Sequence, residues 1–228
     1  MNGEKKLANP IRALIFDLGK VVFDFSFDAA LASWAQAAGL HVDELSARLV
    51  WDGSYERYER GEIDLKQVHR RFTGMISAAI DYERFESAWL GVFGAEIPGI
   101  RSLLRRLQPD YRLTALSNTN ADHARVWRRL YPEALSCFEK VFASHEIAAR
   151  KPEARAYEAV LDYLGLPAGQ TLFIDDMADN IAAADRLGLN VILFESCAQL
   201  EVELRRLGIF NDRPSGQNPP LATDRRPS

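Results

Sequence analysis

Residues 13–22, Ala13-Leu14-Ile15-Phe16-Asp17-Leu18-Gly19-Lys20-Val21-Val22, decide how the rest of the chain is read. Four apolar residues without polar alternation suit a strand buried on both faces, as in a parallel sheet, and the run stops at a carboxylate. The same pattern recurs downstream. Residues 112–116 end at Ser117, 141–143 at Ser144, 171–174 at Asp175 and 191–194 at Glu195. Between the later runs, 121–131, 153–164 and 179–187 carry apolar residues at helical spacing, with Gly165 and Gly188 where helices would stop. Strands alternating with helices need crossover connections, so the spacing predicts an α/β core built on a parallel sheet.

One stretch breaks that rhythm. From residue 27 to 94 the pattern gives helices at 28–38, 43–50, 54–60, 64–79 and 82–92 and no convincing strand. Asp43 and Asp64 suit helix caps, and Gly39, Gly53 and Gly61 punctuate the series. A helical block here reads as a domain, 27–94, inserted into a core of 11–26 and 95–211. It would stand over the carboxyl edge of the sheet, where open α/β folds bind ligands. Hinges are expected near 24–27 and 94–98. Residues 1–10 and 212–228 are polar and Pro-rich with little to bury, and are expected to be disordered tails.

Composition narrows the partners. The 228 residues carry 28 Lys plus Arg against 32 Asp plus Glu, a net charge of −4, which argues against nucleic-acid binding. Cys137 and Cys197 stand alone, without zinc-ligand spacing or a disulfide framework. Residues 1–10 lack the apolar stretch of a secretory signal, and no apolar run approaches the roughly 18 residues of a membrane span. The expectation is a cytoplasmic protein with no membrane partner. Composition leaves the choice between monomer and dimer open.

Four polar clusters close the core strands or open the helices after them: Asp17 with Gly19, Ser117 with Asn118, Lys151, and Asp175-Asp176 with Asp179-Asn180. Singly, each has a structural explanation. Strand-end Asp residues make turns, Ser-Asn pairs cap loops, and a lysine before proline usually faces solvent. Adjacent acids after a buried strand are harder to explain that way, because they repel unless a cation or hydrogen bonds intervene. Strand ends converge in a parallel sheet, so the clusters would share one crevice. Three carboxylates suit a hard cation such as magnesium, and the Ser117 hydroxyl and Lys151 ammonium suit phosphate oxygens. A carboxylate nucleophile beside a metal and a phosphate clamp is apparatus for phosphoryl transfer.

Over roughly residues 12–208 the chain resembles the haloacid dehalogenase superfamily of hydrolases. Within it the chain is most similar to bacterial α-D-glucose-1-phosphate phosphatases, through FDLGKVV at 16–22, ERGEI at 59–63, LSNTN at 116–120, RKPEA at 150–154 and DDMADNI at 175–181. The resemblance implies a Rossmann-like sheet flanked by helices, with the helical block as its cap. It also implies a magnesium-dependent phosphatase forming an aspartyl-phosphate on Asp17. Asp17, the Gly19 carbonyl and Asp176 would hold the metal, with Asp175 ligating through water or orienting. Ser117, Asn118 and Lys151 would hold the phosphoryl oxygens of a small phosphorylated metabolite. A 2-haloacid dehalogenase shares the nucleophile but has little use for Asp175-Asp176. A non-catalytic phospholigand-binding module is the other alternative.

That alternative rests on Gly19. Most phosphatases of the superfamily carry there a second Asp, a proton shuttle worth about 10²–10⁴ in rate. The resembled sugar-phosphatase branch also has Gly, and an anomeric oxygen leaves without much help. Glucose 1-phosphate is therefore the expected type of substrate. Lys20 is also atypical and is expected to face solvent. For specificity the cap offers Trp51, Tyr55 and Arg57 within a polar and aromatic stretch that includes Asp52, Ser54, Tyr58 and Glu59. His123 and Trp127 are expected to pack; Arg57, Arg60, Arg70, Arg71 and Arg84 otherwise suit a solvated face.

Overall fold

The computed structural model describes residues 10–50 and 53–210, so Trp51 and the two expected tails, save Pro10, lie outside the described residues. The chain enters through β1 (Ala13–Phe16) and β2 (Phe23–Phe25). It then runs through α1 (Asp28–Ala38), α2 (Val42–Arg48), α3 (Ser54–Glu59), α4 (Leu65–Ile76) and α5 (Tyr82–Leu90). It returns by β3 (Phe93–Glu96) to α6 (Ile100–Leu107), β4 (Arg112–Ser117), α7 (Ala121–Leu130), α8 (Pro132–Leu135), β5 (Lys140–Ala143) and α9 (Ser144–Ile147). The last part is α10 (Ala154–Leu164), β6 (Thr171–Asp175), α11 (Ala178–Arg186), β7 (Asn190–Leu193) and α12 (Cys197–Arg206). None of the described helices is long and apolar enough to cross a membrane.

Five strands form one parallel sheet in the order β5-β4-β1-β6-β7, flanked by helices on both faces as the run pattern implies. β1 shows why. All four of its residues are buried, and their alternation sends Leu14 and Phe16 to one face and Ala13 and Ile15 to the other. The first pair packs with α6, α7 and α12 through Leu104, Trp127 and Leu204; the second packs with α10 and α11 through Tyr157, Val160 and Ala184. Phe16 stands opposite Ala115 and Ile174; β6 runs one residue further, to Asp175, and β4 two, to Ser117, so the three strands finish close together on one edge.

Helices α1–α5 gather around a separate core that includes Trp34, Leu45, Val68, Phe72, Phe85 and Trp89. Asp64 closes a capping box at the start of α4, accepting from the Gln67 N–H at 2.7 Å while the Gln67 side chain accepts from the Asp64 N–H at 2.9 Å. Asp43 is not a cap. It lies in the first turn of α2, where its charge suits the helix dipole, and His41 occupies the cap position. Four helices also stop short of their expected ends: α2 at Arg48, α3 at Glu59, α5 at Leu90, and α4 at Ile76, where Ser77 turns left-handed.

The sequence reading missed one piece of sheet. β2 and β3 pair antiparallel, Phe23 opposite Glu96 and Phe25 opposite Phe93, where the chain leaves the core and re-enters it. Strands of three and four residues are too short for a two-residue period to stand out.

Candidate active site

The neighbouring ends of β1, β4 and β6 bring Asp17, Ser117, Asp175 and Asp176 together, and the loop before α10 adds Lys151. The Asp17 N–H donates to the Ile174 carbonyl at 2.8 Å, locking the turn after β1 to β6. Lys151 is 1% exposed, and its Nζ lies 2.8 Å from Asp17 Oδ1 and 2.6 Å from Asp175 Oδ2. A lysine this deep is tolerable only when paired. Burial works to lower its pKa, but Asp17 and Asp175 outweigh it and the net shift is upward, so the ammonium stays charged. Its backbone is held by a reciprocal pair: Asn118 Nδ2 donates to the Lys151 carbonyl at 2.8 Å and the Lys151 N–H donates to Asn118 Oδ1 at 2.7 Å. The Asn118 side chain thus fixes the lysine loop.

Asp175 is fully buried and heavily engaged. Its Oδ1 accepts from the Met177 N–H at 2.8 Å and from Asn180 Nδ2 at 3.0 Å, while Oδ2 takes the Lys151 ammonium. Of the two roles open to it, orienting fits this bonding better than ligating. Asp17 sits against its own next residue, accepting from the Leu18 N–H at 2.7 Å. Its pKa is pushed up to about 7, chiefly by burial, with Asp175 and Asp176 adding to the rise and Lys151 opposing it. Asp176, half-buried, is likewise raised by burial and by Asp175. One oxygen from each of Asp17, Asp175 and Asp176 lies within 4.8 Å of the others. All-oxygen donors crowded with uncompensated negative charge are what a hard divalent cation relieves, so the residues present fit magnesium.

Asp17, Ser117, Lys151 and Asp176 form one end of a cavity of about 170 Å³. Its other walls are Phe25, Phe27, Tyr55, Phe93, His123 and Trp127, together with Glu59. The positions of the cap residues follow from helical spacing. Tyr55 and Glu59 are four apart on α3 and share the face toward the cavity, whereas Arg57 points away, exposed and paired with Glu62 at 3.1 Å. Arg57 therefore does not line the site as expected. Glu59 is 4% exposed, and its Oε2 accepts from Arg150 Nε at 2.7 Å. Arg60 pairs in turn with Glu153 at 2.9 Å, so two crossed ion pairs tie α3 to the loop that carries Lys151. Arg60 is correspondingly half-buried, not part of a solvated face.

His123 packs, as its spacing from Trp127 suggested. Its Nε2 faces the Trp89 carbonyl at 2.9 Å, which can only accept, so Nε2 carries the proton and Nδ1 accepts from Asn120 at 3.1 Å. Lys20 is exposed and paired with Asp24. Gly19 has a reason that the sequence did not reveal. A Cβ there would lie 2.7 Å from Cε1 of Phe25, so the aromatic ring of β2 occupies the space a second aspartate would need.

The chain matches the model of the haloacid dehalogenase-like hydrolases over residues 11–188. It is 23% identical to a D-ribitol-5-phosphate phosphatase of Bacteroides thetaiotaomicron over 202 residues, covering 85% of this chain and 97% of that one. It is 25% identical to a sesquiterpene phosphatase of Aspergillus oryzae over 217 residues, covering 88% and 98%. A HAD family enzyme from Bacteroides thetaiotaomicron, solved in complex with magnesium and inorganic phosphate, superposes with a TM-score of 0.69 at 24% identity over 82% of this chain and 96% of that one. The order of strands, the convergence of their polar ends and the extent of the match agree: this chain belongs to the haloacid dehalogenase-like hydrolase family.

Proposed function

We propose that the chain is a magnesium-dependent phosphatase of small phosphate monoesters, with Asp17 as nucleophile. The observation that carries this reading is Lys151, buried and bridging Asp17 and Asp175 at the floor of a cavity walled by Asp176 and Ser117. The ammonium opposes protonation of Asp17, whose carboxylate form is needed for attack, and lowers the repulsion between it and an incoming phosphate dianion. An Asp17 oxygen bonds to phosphorus as the ester P–O bond breaks and its electron pair leaves with the alcohol oxygen. Water then attacks the phosphorus of the aspartyl-phosphate, freeing inorganic phosphate and restoring Asp17. Ser117 and Lys151 donate to the phosphoryl oxygens throughout, and Asp175 holds the lysine in register through Asn180 and the Met177 N–H. Asp17, Asp176 and the Gly19 carbonyl would hold magnesium, which when bound supplies positive charge to the phosphoryl oxygens.

With Phe25 filling the proton shuttle's place, the reading favours esters whose oxygen departs with little protonation. Glucose 1-phosphate, an anomeric phosphate, is one such ester, and the phosphatase names of the two relatives support the reaction class. The test is phosphate release from a panel including glucose 1-phosphate and glucose 6-phosphate, with magnesium or chelator. Turnover is expected with magnesium alone and is expected to be lost in Asp17→Asn. Magnesium binding without turnover of any ester would overturn the reading in favour of a binding module.

A further inference from the structure

A second and larger cavity, about 520 Å³, lies within the helical insertion. It is walled mainly by Phe27, Leu31, Trp34, Leu49, Tyr55 and Trp89. Phe27 and Tyr55 also line the active-site cavity, so these two half-buried side chains divide one compartment from the other. A volume of this size is in the range of small-molecule sites. The lining is mostly apolar, with Ser46, Glu56, the Tyr55 hydroxyl and the Trp89 indole as its polar groups. Trp89 is 1% exposed, and among the described residues its indole N–H has no acceptor; the buried Glu56 Oε2 likewise has no donor. A buried donor left without a partner is costly and rare in native proteins, so an acceptor supplied to it is favoured.

The chemistry of the walls selects the ligand. A polyol entering here would give up more hydrogen bonds to water than the few polar groups of Ser46, Tyr55, Glu56 and Trp89 can replace. Several polar side chains on the active-site side are already engaged. His123 is engaged at both nitrogens, Glu59 by Arg150, and the Thr119 hydroxyl by Trp127 Nε1. An apolar group carrying a single oxygen suits the cavity better.

We propose that this cavity is the leaving-group compartment, and that the substrates are phosphate monoesters of bulky apolar alcohols, aryl esters above all. The inference rests on the phosphatase reading and names its substrate class. The phosphate sits at Asp17 and Lys151, and the apolar group passes between Phe27 and Tyr55 to meet Trp89. An aryl oxygen also departs without strong protonation, which matches Gly19.

The test is kcat/KM of the full chain with magnesium on phenyl phosphate, 1-naphthyl phosphate, biphenyl-4-yl phosphate and glucose 1-phosphate. The two larger aryl esters are expected to exceed glucose 1-phosphate by about tenfold or more, since each buried carbon adds to selectivity. Leu31→Trp and Leu49→Trp fill the cavity from two sides, and circular dichroism selects the variant that folds. The ratio of biphenylyl to phenyl ester is expected to fall about tenfold in it, mainly through KM. Trp89→Phe keeps an aromatic side chain but removes the N–H with the indole's second ring, and is expected to weaken esters bearing a distal hydroxyl relative to those without one. Turnover with ratios that ignore size and filling would overturn this inference alone. No turnover of any ester would overturn the phosphatase reading and this inference with it.

Discussion

Substituting Gly19 tests the central claim about how this site differs from one with a proton shuttle. An added Cβ would lie 2.7 Å from Cε1 and 3.2 Å from Cδ1 of Phe25, where carbon atoms normally meet at about 3.5–4.0 Å. The ring must therefore retreat by about 1 Å. Gly19 does not have a left-handed backbone, so the penalty is steric alone. Overpacking costs about 1–3 kcal/mol, and a half-buried ring with some room to yield puts Gly19→Ala near the lower end, about 1–2 kcal/mol. Phe25→Ala removes the obstacle at the expense of the ring's own contacts, edge-on to Phe27 at 6.3 Å and beneath Lys20 at 5.4 Å. The double variant is then expected to be more stable than the two single losses imply, by about 1 kcal/mol, in a urea-unfolding cycle at constant m-value. The same logic extends to activity. Gly19→Asp combined with Phe25→Ala is expected to raise turnover of alkyl phosphates relative to aryl phosphates, while Gly19→Asp alone is not. Additive stabilities, within about 0.5 kcal/mol, would refute the argument that Phe25 excludes a side chain at position 19.

Two further predictions concern stability. Burial holds His123 down to about 4, against about 6.5 in an unfolded chain, so between those values the unfolded state binds the extra proton. Stability is therefore full above pH 6.5 and falls as pH drops toward 4, by up to about 3 kcal/mol. Urea midpoints at pH 7 and pH 5 should show that slope flattened in His123→Gln; an unchanged slope would assign the loss to other groups. The crossed ion pairs should be unequal. Arg150→Met strands the buried Glu59 and is expected to cost about 3 kcal/mol, whereas Arg60→Met releases the more exposed Glu153 and should cost about 1 kcal/mol or less. The reverse order in thermal melts would contradict the burial argument.

The core was legible because its signals are long or redundant. Each central strand is a flat apolar run ending at a polar residue, and parallel pairing leaves little freedom about where those ends go. Asp17, Ser117, Lys151 and Asp175-Asp176 are thus assignable to one cluster from the sequence pattern. The cap side was not legible in the same way. Arg57 and Glu59 look equally suited to a ligand in sequence, and only the phase of a six-residue helix decides that Glu59 faces the cavity and Arg57 the solvent. Counting four residues on from Tyr55 would have selected Glu59. Nothing comparable pointed to Phe25. Its role depends on a strand of three residues and on a contact with Gly19 across the turn between them.

That short strand links the chemistry of the site to its shape. Phe23 and Phe25 are two apart on β2 and so fall on one face of it, while Asp24 falls on the other. Phe23 is anchored in the core, stacked on Tyr131 with ring centroids 4.4 Å apart, and Asp24 is held outside by Lys20. With its neighbours fixed on opposite faces, Phe25 has one place to go: over Gly19, as a wall of the active-site cavity. The ring that denies space to an acid at position 19 is therefore the same ring that makes the leaving-group side apolar. The two properties cannot be separated by a change at Gly19 alone. Losing the acid penalises esters of poor leaving groups by about 10²–10⁴, and the apolar wall penalises strongly hydrated ones. An ester with an apolar and readily departing alcohol escapes both penalties, which is why a single three-residue strand is enough to bias the site toward that class.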